Sequence, residues 1–254
     1  MIDLHSHILP GVDDGVATLE EARALARAVM ADGATAIAAT PHVREDWPTS
    51  ADRMEEAVAA LRMDFAEQGI GLEVLTGGEI ALEQLEALSR EELRRFTLAG
   101  SMRYLLVEFP YAGWPLGLES AIHDLGADGL TALLAHPERN RSVQEQPERL
   151  ERAIGAGALV QLTASSVDGR GGTAARTAAR RLLELGFAHV IASDAHHPAV
   201  REAGLSAAVA AIGDPALAAH LVQEVPTAIV AGTPVPALPR MRRRARLASF
   251  FGSK

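Results

Sequence analysis

The chain alternates short apolar runs with longer segments in which apolar residues recur every three or four positions. Short runs rich in apolar and β-branched residues predict strands, and the longer periodic segments predict amphipathic helices. The predicted strands span 2–9, 35–40, 71–75, 104–107, 131–135, 158–162 and 188–192. The predicted helices span 18–31, 50–68, 116–125, 146–156, 173–185, 200–212 and 215–223, with irregular helical stretches at 82–88 and 91–96.

Capping and stop signals support these boundaries. Thr18 followed by Glu21 predicts a capping box at the start of the first helix, and Gly69 predicts the end of the second. Seven strand–helix units follow one another without an obvious linker, which predicts one α/β domain rather than two. We expect a parallel, TIM-like barrel over residues 1–239, followed by a basic tail over 240–254.

The first predicted strand carries the histidine pair His5 and His7. Side chains two positions apart on a strand point to the same face, so both imidazoles project together. An acidic turn, Asp13-Asp14-Gly15, follows closely, and the pair is therefore half of a candidate site for a divalent metal. Taken alone, the pair favours the simpler interpretation of one buried, hydrogen-bonded histidine and one solvated histidine.

The ends of the later strands favour the metal site. Active sites of parallel α/β barrels form at the carboxyl ends of the strands. Six of the seven predicted strands end in metal-ligand residues, namely His5 and His7, His42, Glu79, Glu108, His136, and Asp194 with His196. Asp14 from the first loop adds a ninth ligand. So many imidazoles and carboxylates suit a cluster of two or three divalent ions, Mn²⁺, Fe or Zn²⁺ before Mg²⁺.

Composition narrows the chemistry. The chain of 254 residues contains no cysteine, which excludes disulfides, thiolate ligands and a cysteine nucleophile. Its only lysine is Lys254, so a lysine base or a carbamylated lysine bridging two metals is not expected. The net charge of −9 argues against general nucleic-acid binding. No signal peptide or membrane-spanning run is recognised, which predicts a cytoplasmic location.

Five segments resemble one known family along most of the chain. They are His5–Gly15, Ala39–His42, Gly78–Ile80, Ala135–Arg139 and Ala192–His196. These motifs are similar to those of the PHP-superfamily protein-tyrosine phosphatases of bacterial capsule and exopolysaccharide systems. The resemblance implies the PHP fold, a distorted seven-stranded (β/α)7 barrel that holds three divalent metal ions, commonly Mn²⁺, with Fe, Zn²⁺ or Co²⁺ as alternatives.

The same resemblance implies roles for individual residues. His5, His7, Glu79 and Asp194 would hold one ion, and Glu79 would bridge it to a second ion held by Glu108 and His136. Asp14, His42 and His196 would hold the third. Arg139 and Arg201 match positions expected to bind the substrate phosphate, Arg201 in the less distinctive part of the match.

The implied reaction is direct hydrolysis of a phosphate ester, with metal ions activating water and neutralising phosphoryl charge. The implied substrate is the tyrosine-phosphorylated tail of a bacterial autokinase that controls polysaccharide export. Two alternatives stay open: a small-molecule phosphatase such as histidinol-phosphate phosphatase, and a non-catalytic regulator that binds phosphorylated partners. For the arginine-rich tail, a solvated segment is favoured over contact with an acidic membrane surface or partner.

Overall fold

The structure is a computed structural model that describes residues 1–197 and 204–239. Within these residues the strands are β1 (Ile2–Ser6), β2 (Ala36–Ala39), β3 (His42–Arg44), β4 (Trp47–Pro48), β5 (Glu73–Leu75), β6 (Glu79–Ala81), β7 (Tyr104–Glu108), β8 (Thr131–Ala135), β9 (Leu159–Thr163) and β10 (Val190–Ala192).

The α-helices of the same residues surround these strands. They are α1 (Leu19–Ala31), α2 (Ala51–Glu67), α3 (Arg90–Arg95), α4 (Leu118–Ala127), α5 (Arg141–Glu145), α6 (Leu150–Gly155), α7 (Ala164–Asp168), α8 (Thr173–Leu185), α9 (Ser206–Ile212), α10 (Pro215–Ala219) and α11 (Val225–Val230). Single 3₁₀ turns lie at Leu82–Gln84, Leu98–Gly100, Pro137–Arg139 and Pro147–Arg149, and a π-helical turn spans His220–Glu224.

Among the described residues the strands form two sheets. β1, β2 and β5 form a three-stranded parallel sheet, and the other seven strands form a second sheet in the order β10-β9-β8-β7-β6-β3-β4. Each neighbouring pair is parallel except β3 and β4, which form an antiparallel hairpin. The prediction of an α/β fold with parallel strands is therefore confirmed, whereas no closed barrel is recorded for residues 1–197 and 204–239.

The chain passes from the three-stranded sheet into the seven-stranded sheet at two neighbouring places. β2 leads into β3 across two residues, and β5 leads into β6 across three. An isolated parallel bridge joins Ser6 to Ala195. Two backbone hydrogen bonds flank this bridge, from His7 N to the Ala195 oxygen (2.8 Å) and from Asp194 N to the His5 oxygen (2.9 Å). The end of β1 is thereby fixed beside the segment that follows β10.

The strands bury apolar side chains on both faces. One face packs under the helices in a large cluster that includes Leu105, Leu134 and Val160. The alternate residues of both sheets form a second cluster, with members that include Leu4, Ala38, Leu75, Leu106, Leu133, Leu159 and Val190. Because side chains alternate along a strand, this second face continues into polar residues at the carboxyl ends of the strands. Glu108 follows Leu106 in this way, and Asp194 follows Val190 and Ala192.

Several local predictions were wrong. Residues 164–168, between the predicted strand at 158–162 and the predicted helix at 173–185, form α7, and the helix predicted over 146–156 consists of a 3₁₀ turn followed by α6. The irregular helix predicted at 82–88 is reduced to the turn at Leu82–Gln84, while β3, β4, β6 and α5 were not predicted. The first strand ends at Ser6 rather than at residue 9. The start of the helix predicted at 200–212, Arg201 and the tail at 240–254 lie outside the described residues.

Candidate metal centre

The nine predicted ligands meet at the carboxyl ends of the strands. Each belongs to at least one of four overlapping groups whose ligand atoms lie within 4.8 Å of one another. The groups are His5, His7 and Asp194; His5, Glu79 and His136; His42, Glu79 and Glu108; and His7, Asp14, His42 and His196. Because the groups share members, they form one continuous cluster, which we call the ligand cluster.

Glu79 occupies the centre of the ligand cluster. This fully buried side chain begins β6, where its backbone N donates to the Pro41 oxygen (3.0 Å). Glu79 Oε2 lies 3.3 Å from His5 Nε2, 3.4 Å from His7 Nε2 and 3.0 Å from His42 Nδ1. Its other oxygen, Oε1, lies 2.9 Å from His136 Nε2. One carboxylate therefore contacts four imidazoles on two sides.

His5 and His7 project to the same side, as their spacing predicted. Their Nε2 atoms lie 3.3 Å apart, and Asp194 Oδ1 lies 3.3 Å from the first and 3.5 Å from the second. Ligand atoms bound about 2.1 Å from one tetrahedral ion are separated by about 3.4 Å. Together with Glu79 Oε2, these atoms have the spacing of ligands to a shared cation.

The rim of the cluster is formed by His42, Asp14 and His196. Asp14 Oδ1 lies 3.4 Å from His42 Nε2 and 3.5 Å from His196 Nε2. The imidazole of His196 also stacks on that of His7, with ring centroids 3.9 Å apart. Asp14 is exposed, unlike the buried Asp13 that precedes it.

Glu108, at the end of β7, extends the cluster beside His42. Its Oε2 lies 3.8 Å from His42 Nδ1, and its Oε1 accepts a hydrogen bond from Arg44 Nη1 (3.1 Å). Burial and the neighbouring Glu79 carboxylate raise the pKa of Glu108. Arg44 was not singled out from the sequence, because the β3–β4 hairpin that places it here was not predicted.

Two of the ligands have an unusual backbone conformation. His136 has φ of 38° and Asp194 has φ of 54°, the left-handed region that non-glycine residues seldom adopt. His136 comes directly after the last residue of β8, and Asp194 lies two residues beyond the end of β10. At both positions the change in backbone direction turns the side chain into the cluster. Such local strain persists where surrounding contacts fix it, and it is concentrated at functional sites.

Asp13 was missed as a supporting residue. Its Oδ2 lies 2.6 Å from His7 Nδ1 and accepts a hydrogen bond from His42 N (2.9 Å), while its Oδ1 accepts from Gly15 N (3.0 Å). These contacts fix His7 with its Nε2 toward the cluster. Although burial opposes it, contact with His7 lowers the pKa of Asp13 to about 2. The signal in the sequence was the Asp-Asp pair, of which only one member can face the cluster.

Gly15 permits this arrangement by close packing. A Cβ atom at this position would lie 2.1 Å from the His7 oxygen and 2.4 Å from the His7 Cβ. Only glycine therefore allows the turn to approach the histidine.

Gln161 supports the cluster from β9, and Glu138 supports it from the 3₁₀ turn that follows β8. His5 Nδ1 lies 3.0 Å from Gln161 Oε1, which leaves His5 Nε2 directed at Glu79 and Asp194. Glu138 is fully buried and accepts a hydrogen bond from Thr163 N (2.9 Å). Glu138 therefore fixes the end of β9, although it belongs to the same motif as His136 and Arg139.

Opposite charges dominate the buried part of the cluster. Burial disfavours ionisation of Glu79 and Asp194, yet the nearby histidines, His5 foremost, hold the pKa of each carboxyl well below its usual range. Glu79 and Asp194 likewise overcome the effect of burial and raise the pKa of His5. The pKa of His7 is raised by Asp13 foremost, with Asp194 and Glu79. The buried part of the cluster therefore favours the anionic forms of Glu79 and Asp194, the forms that bind metal ions.

The hydrogen bonding of the cluster fits a metal site. Glu79 Oε2, His42 Nδ1 and His136 Nδ1 are buried and make no hydrogen bond, although two of them lie 3.0 Å apart. Buried polar atoms are normally satisfied, so the facing pair of Glu79 Oε2 and His42 Nδ1 indicates a missing shared partner. Imidazole nitrogens and carboxylate oxygens together are suitable donors for Mn²⁺, Fe or Zn²⁺.

Of the two predicted phosphate-binding arginines, Arg139 lies at the cluster and Arg201 lies outside the described residues. Arg139 Nη1 donates to Asp194 Oδ2 (2.6 Å). Although burial opposes it, the Asp194 carboxylate raises the pKa of Arg139 above its usual value. His189 and His220, which were not predicted as ligands, contact Val160 N and Glu224 instead.

Fold and site together define an α/β protein with a cluster of imidazole and carboxylate groups that could hold metal ions, at the carboxyl ends of parallel strands. The chain belongs to the CpsB/CapC family of capsular polysaccharide synthesis, whose sequence model matches residues 1–227.

Several relatives have names that state an activity. The chain is 35% identical over 207 residues to tyrosine-protein phosphatase YwqE of Bacillus subtilis, with 79% of each chain covered. It is 29% identical over 203 residues to tyrosine-protein phosphatase CpsB of Streptococcus pneumoniae, covering 78% of this chain and 83% of the relative. A solved structure from work on YwqE and CpsB, described as metal-dependent tyrosine phosphatases, superposes with a TM-score of 0.84. It shares 30% identity and covers 95% of this chain and 100% of the other.

Proposed function

We propose that this protein is a metal-dependent protein-tyrosine phosphatase of a capsular or exopolysaccharide system. The observation that carries the proposal is the ligand cluster, in which Glu79 contacts four imidazoles beside the guanidinium of Arg139. Membership of the CpsB/CapC family and the names of the relatives support the same activity.

The proposal assigns three divalent ions to the ligand cluster, with Mn²⁺ as the preferred metal. His5, His7, Glu79 and Asp194 would hold one; Glu79, Glu108 and His136 a second; and Asp14, His42 and His196 the third. When bound, such ions supply an activated water and neutralise charge on phosphoryl oxygens. The overlapping ligand groups support more than one ion, because Glu79 and His42 each belong to two of them.

The chain's own residues position the substrate. Arg139 uses one N–H group on Asp194 and has others to donate to phosphate oxygens. This guanidinium fixes the phosphoryl group beside the ligand cluster for in-line attack. We assign the same role to Arg201 on the strength of its sequence position. The leaving group of phosphotyrosine is a phenolate, pKa about 10, which requires less protonation than an alkoxide. Absence of cysteine excludes the cysteine-based phosphoenzyme route.

We further propose that the two sheets form the distorted seven-stranded (β/α)7 barrel expected from the sequence. Counting β2 with β3 and β5 with β6, seven strand positions follow one another around the sheet. Support comes from the bridge between Ser6 and Ala195 and from the shared cluster of inward-facing residues contributed by both sheets.

The proposed substrate is the phosphotyrosine tail of a bacterial autokinase, and the proposed location is the cytoplasm. No helix of residues 1–197 and 204–239 has the length and apolar character needed to cross a membrane. For the basic tail, a solvated segment is favoured over contact with an acidic surface, and both stay predictions because residues 240–254 lie outside the described part.

The direct test compares turnover of a phosphotyrosine peptide with that of histidinol phosphate in protein loaded with Mn²⁺. We expect higher kcat/KM for the peptide, loss of turnover with EDTA and its recovery with Mn²⁺. His136→Ala should abolish turnover, whereas an exposed control, His123→Ala, should retain it. Preference for histidinol phosphate would favour the small-molecule alternative. Phosphopeptide binding without hydrolysis by loaded protein would favour the non-catalytic one.

A further inference from the structure

Tyr111 lies in the loop after β7, three residues beyond Glu108, and borders the ligand cluster. Its ring stacks nearly parallel to the imidazole of His136, with centroids 5.5 Å apart and an interplanar angle of 18°. That separation is within the range of about 4.5–7 Å preferred by aromatic pairs. His136 in turn contacts Glu79, so Tyr111 lies directly outside the innermost ligands.

The hydroxyl end of Tyr111 reaches Arg139. Burial raises the pKa of Tyr111, and the Arg139 guanidinium opposes that rise through its charge and a side-chain hydrogen bond. Among the residues that the structure describes, Arg139 is the one to which we assign phosphate binding. A phosphate held there would therefore place its ester group next to the tyrosine ring.

The loop that carries Tyr111 is held in place from behind. Asn140 Nδ2 donates to the Pro110 oxygen (2.6 Å) and to the Gly113 oxygen (2.7 Å), and Arg141 N donates to the Tyr111 oxygen (3.1 Å). These bonds fix the backbone on both sides of Tyr111. A preformed position lowers the ordering cost of a ligand contact.

Much of the Tyr111 side chain nevertheless remains open. The residue is 53% exposed, although packing against His136 covers part of its ring. A large aromatic residue that is fixed, half-exposed and next to a phosphate-binding arginine is suited to contact an aromatic ligand. Phosphoserine has no ring and could not use this contact.

On these contacts, we propose that Tyr111 is a specificity residue that packs against the phenyl ring of the substrate and favours aryl over alkyl phosphates. The inference rests on the proposed phosphatase function and names the side chain that selects its substrate class. Tyr111 acts on binding of the aromatic ester group, while Arg139 binds the phosphoryl group that all phosphate esters share.

The test measures inhibition constants of phenylphosphonate and methylphosphonate against hydrolysis of p-nitrophenyl phosphate. For Tyr111→Ala we expect phenylphosphonate inhibition to weaken about tenfold more than methylphosphonate inhibition. Tyr111→Phe keeps the ring, so its ratio of the two constants should stay within about twofold of wild type. Leu116→Ala is the matched control, because Leu116 lies in the same loop and is 97% exposed.

Two results would overturn the inference. Equal weakening of both phosphonates in Tyr111→Ala would mean that the residue acts through Arg139 or His136, and an unchanged ratio would mean no aromatic contact. Titration calorimetry of the same two phosphonates separates this inference from the proposed function. Wild-type protein that hydrolyses no phosphate ester would contradict the phosphatase proposal, while the calorimetric ratio would still test Tyr111.

Discussion

At the residue scale, the ligand cluster depends on side chains that do not themselves face its centre. Asp13 contacts His7 Nδ1 and Gln161 contacts His5 Nδ1, so each histidine presents its Nε2 to Glu79 and Asp194. Partners of this kind set the tautomer and orientation of ligating histidines. The sequence identified the histidines and Asp14, but it could not show that Asp13 supports His7, because that contact depends on how the turn folds against the strand.

Replacement of Asp13 tests this supporting role. Asp13→Asn removes the charge beside His7 while keeping its size, and we expect affinity for Mn²⁺ to fall about 10- to 100-fold. Titration calorimetry with Mn²⁺ alone measures the effect. The control is Asp52→Asn, an exposed carboxylate on α2 that pairs with Arg95. Equal Mn²⁺ affinity of the Asp13 variant and wild type would remove Asp13 from the account.

His189 predicts a pH dependence that is independent of the ligand cluster. Burial lowers its pKa to about 4, and its Nδ1 accepts a hydrogen bond from Val160 N (3.1 Å). The unfolded chain therefore binds the proton more tightly, at a pKa of about 6.5. The stability contributed by neutral His189 is complete above pH 6.5 and is lost as the pH falls toward 4.

We expect wild type to lose on the order of 2 kcal/mol more unfolding free energy than His189→Asn between pH 7 and pH 4. Denaturant titrations of both proteins at each pH measure the difference. Ligand-cluster carboxylates titrate in both proteins, so subtraction of the two profiles isolates His189. Profiles that run parallel would mean that His189 does not carry this dependence.

At the scale of elements, the strand ends were predicted better than the segments between them. Branched and apolar residues marked most of the strands, and His42, Glu108, His136 and Asp194 followed from their ends. β6 was missed because Gly77 and Gly78 precede its three residues, a pattern typical of a loop. α7 was missed because Thr163, Ser165 and Ser166 favour turns when read locally. Tertiary packing decides the structure of such short segments.

Asn140 connects α5 with the loop that follows β7. Its side chain caps α5 by accepting a hydrogen bond from Val143 N (3.1 Å), and its amide holds the loop that carries Tyr111. Asn140→Ala removes the cap and leaves two carbonyls without a donor, so we expect a destabilisation of about 2–4 kcal/mol.

Chemical denaturation measures this loss against Ser89→Ala, which removes the cap of the exposed helix α3 and should cost about 1 kcal/mol. A loss from Asn140→Ala no larger than that from Ser89→Ala would show that the loop does not depend on Asn140.

At the scale of the whole molecule, the ligand cluster joins segments that are distant along the chain. Glu79, Asp194 and the histidines would be brought together by folding and held together by bound cations. We expect EDTA to lower the thermal unfolding midpoint by about 5–10 °C, since saturation at 100 times Kd contributes about 2.7 kcal/mol. Mn²⁺ should restore the midpoint. A midpoint insensitive to EDTA would argue against metal ions that stabilise the fold.

The fold class followed from the alternation of strands and helices, and the site followed from residues at strand ends. The sequence could not show that β2 and β5 belong to one sheet while β3 and β6 belong to the other, because strand pairing depends on contacts between residues that are distant along the chain. It also could not give the left-handed conformations of His136 and Asp194, which are imposed by the surrounding structure. Arg201 was predicted from resemblance, and its role remains a prediction.

The most direct test of the central claim is the ratio of bound metal to protein in purified wild type and in Glu79→Gln, measured by elemental analysis. We predict more than one divalent ion per wild-type chain, with three as the proposed full complement, and loss of at least one ion in the variant. A wild-type chain that turns over phosphotyrosine peptide with one ion or none, or a variant with the wild-type ratio, would contradict the account.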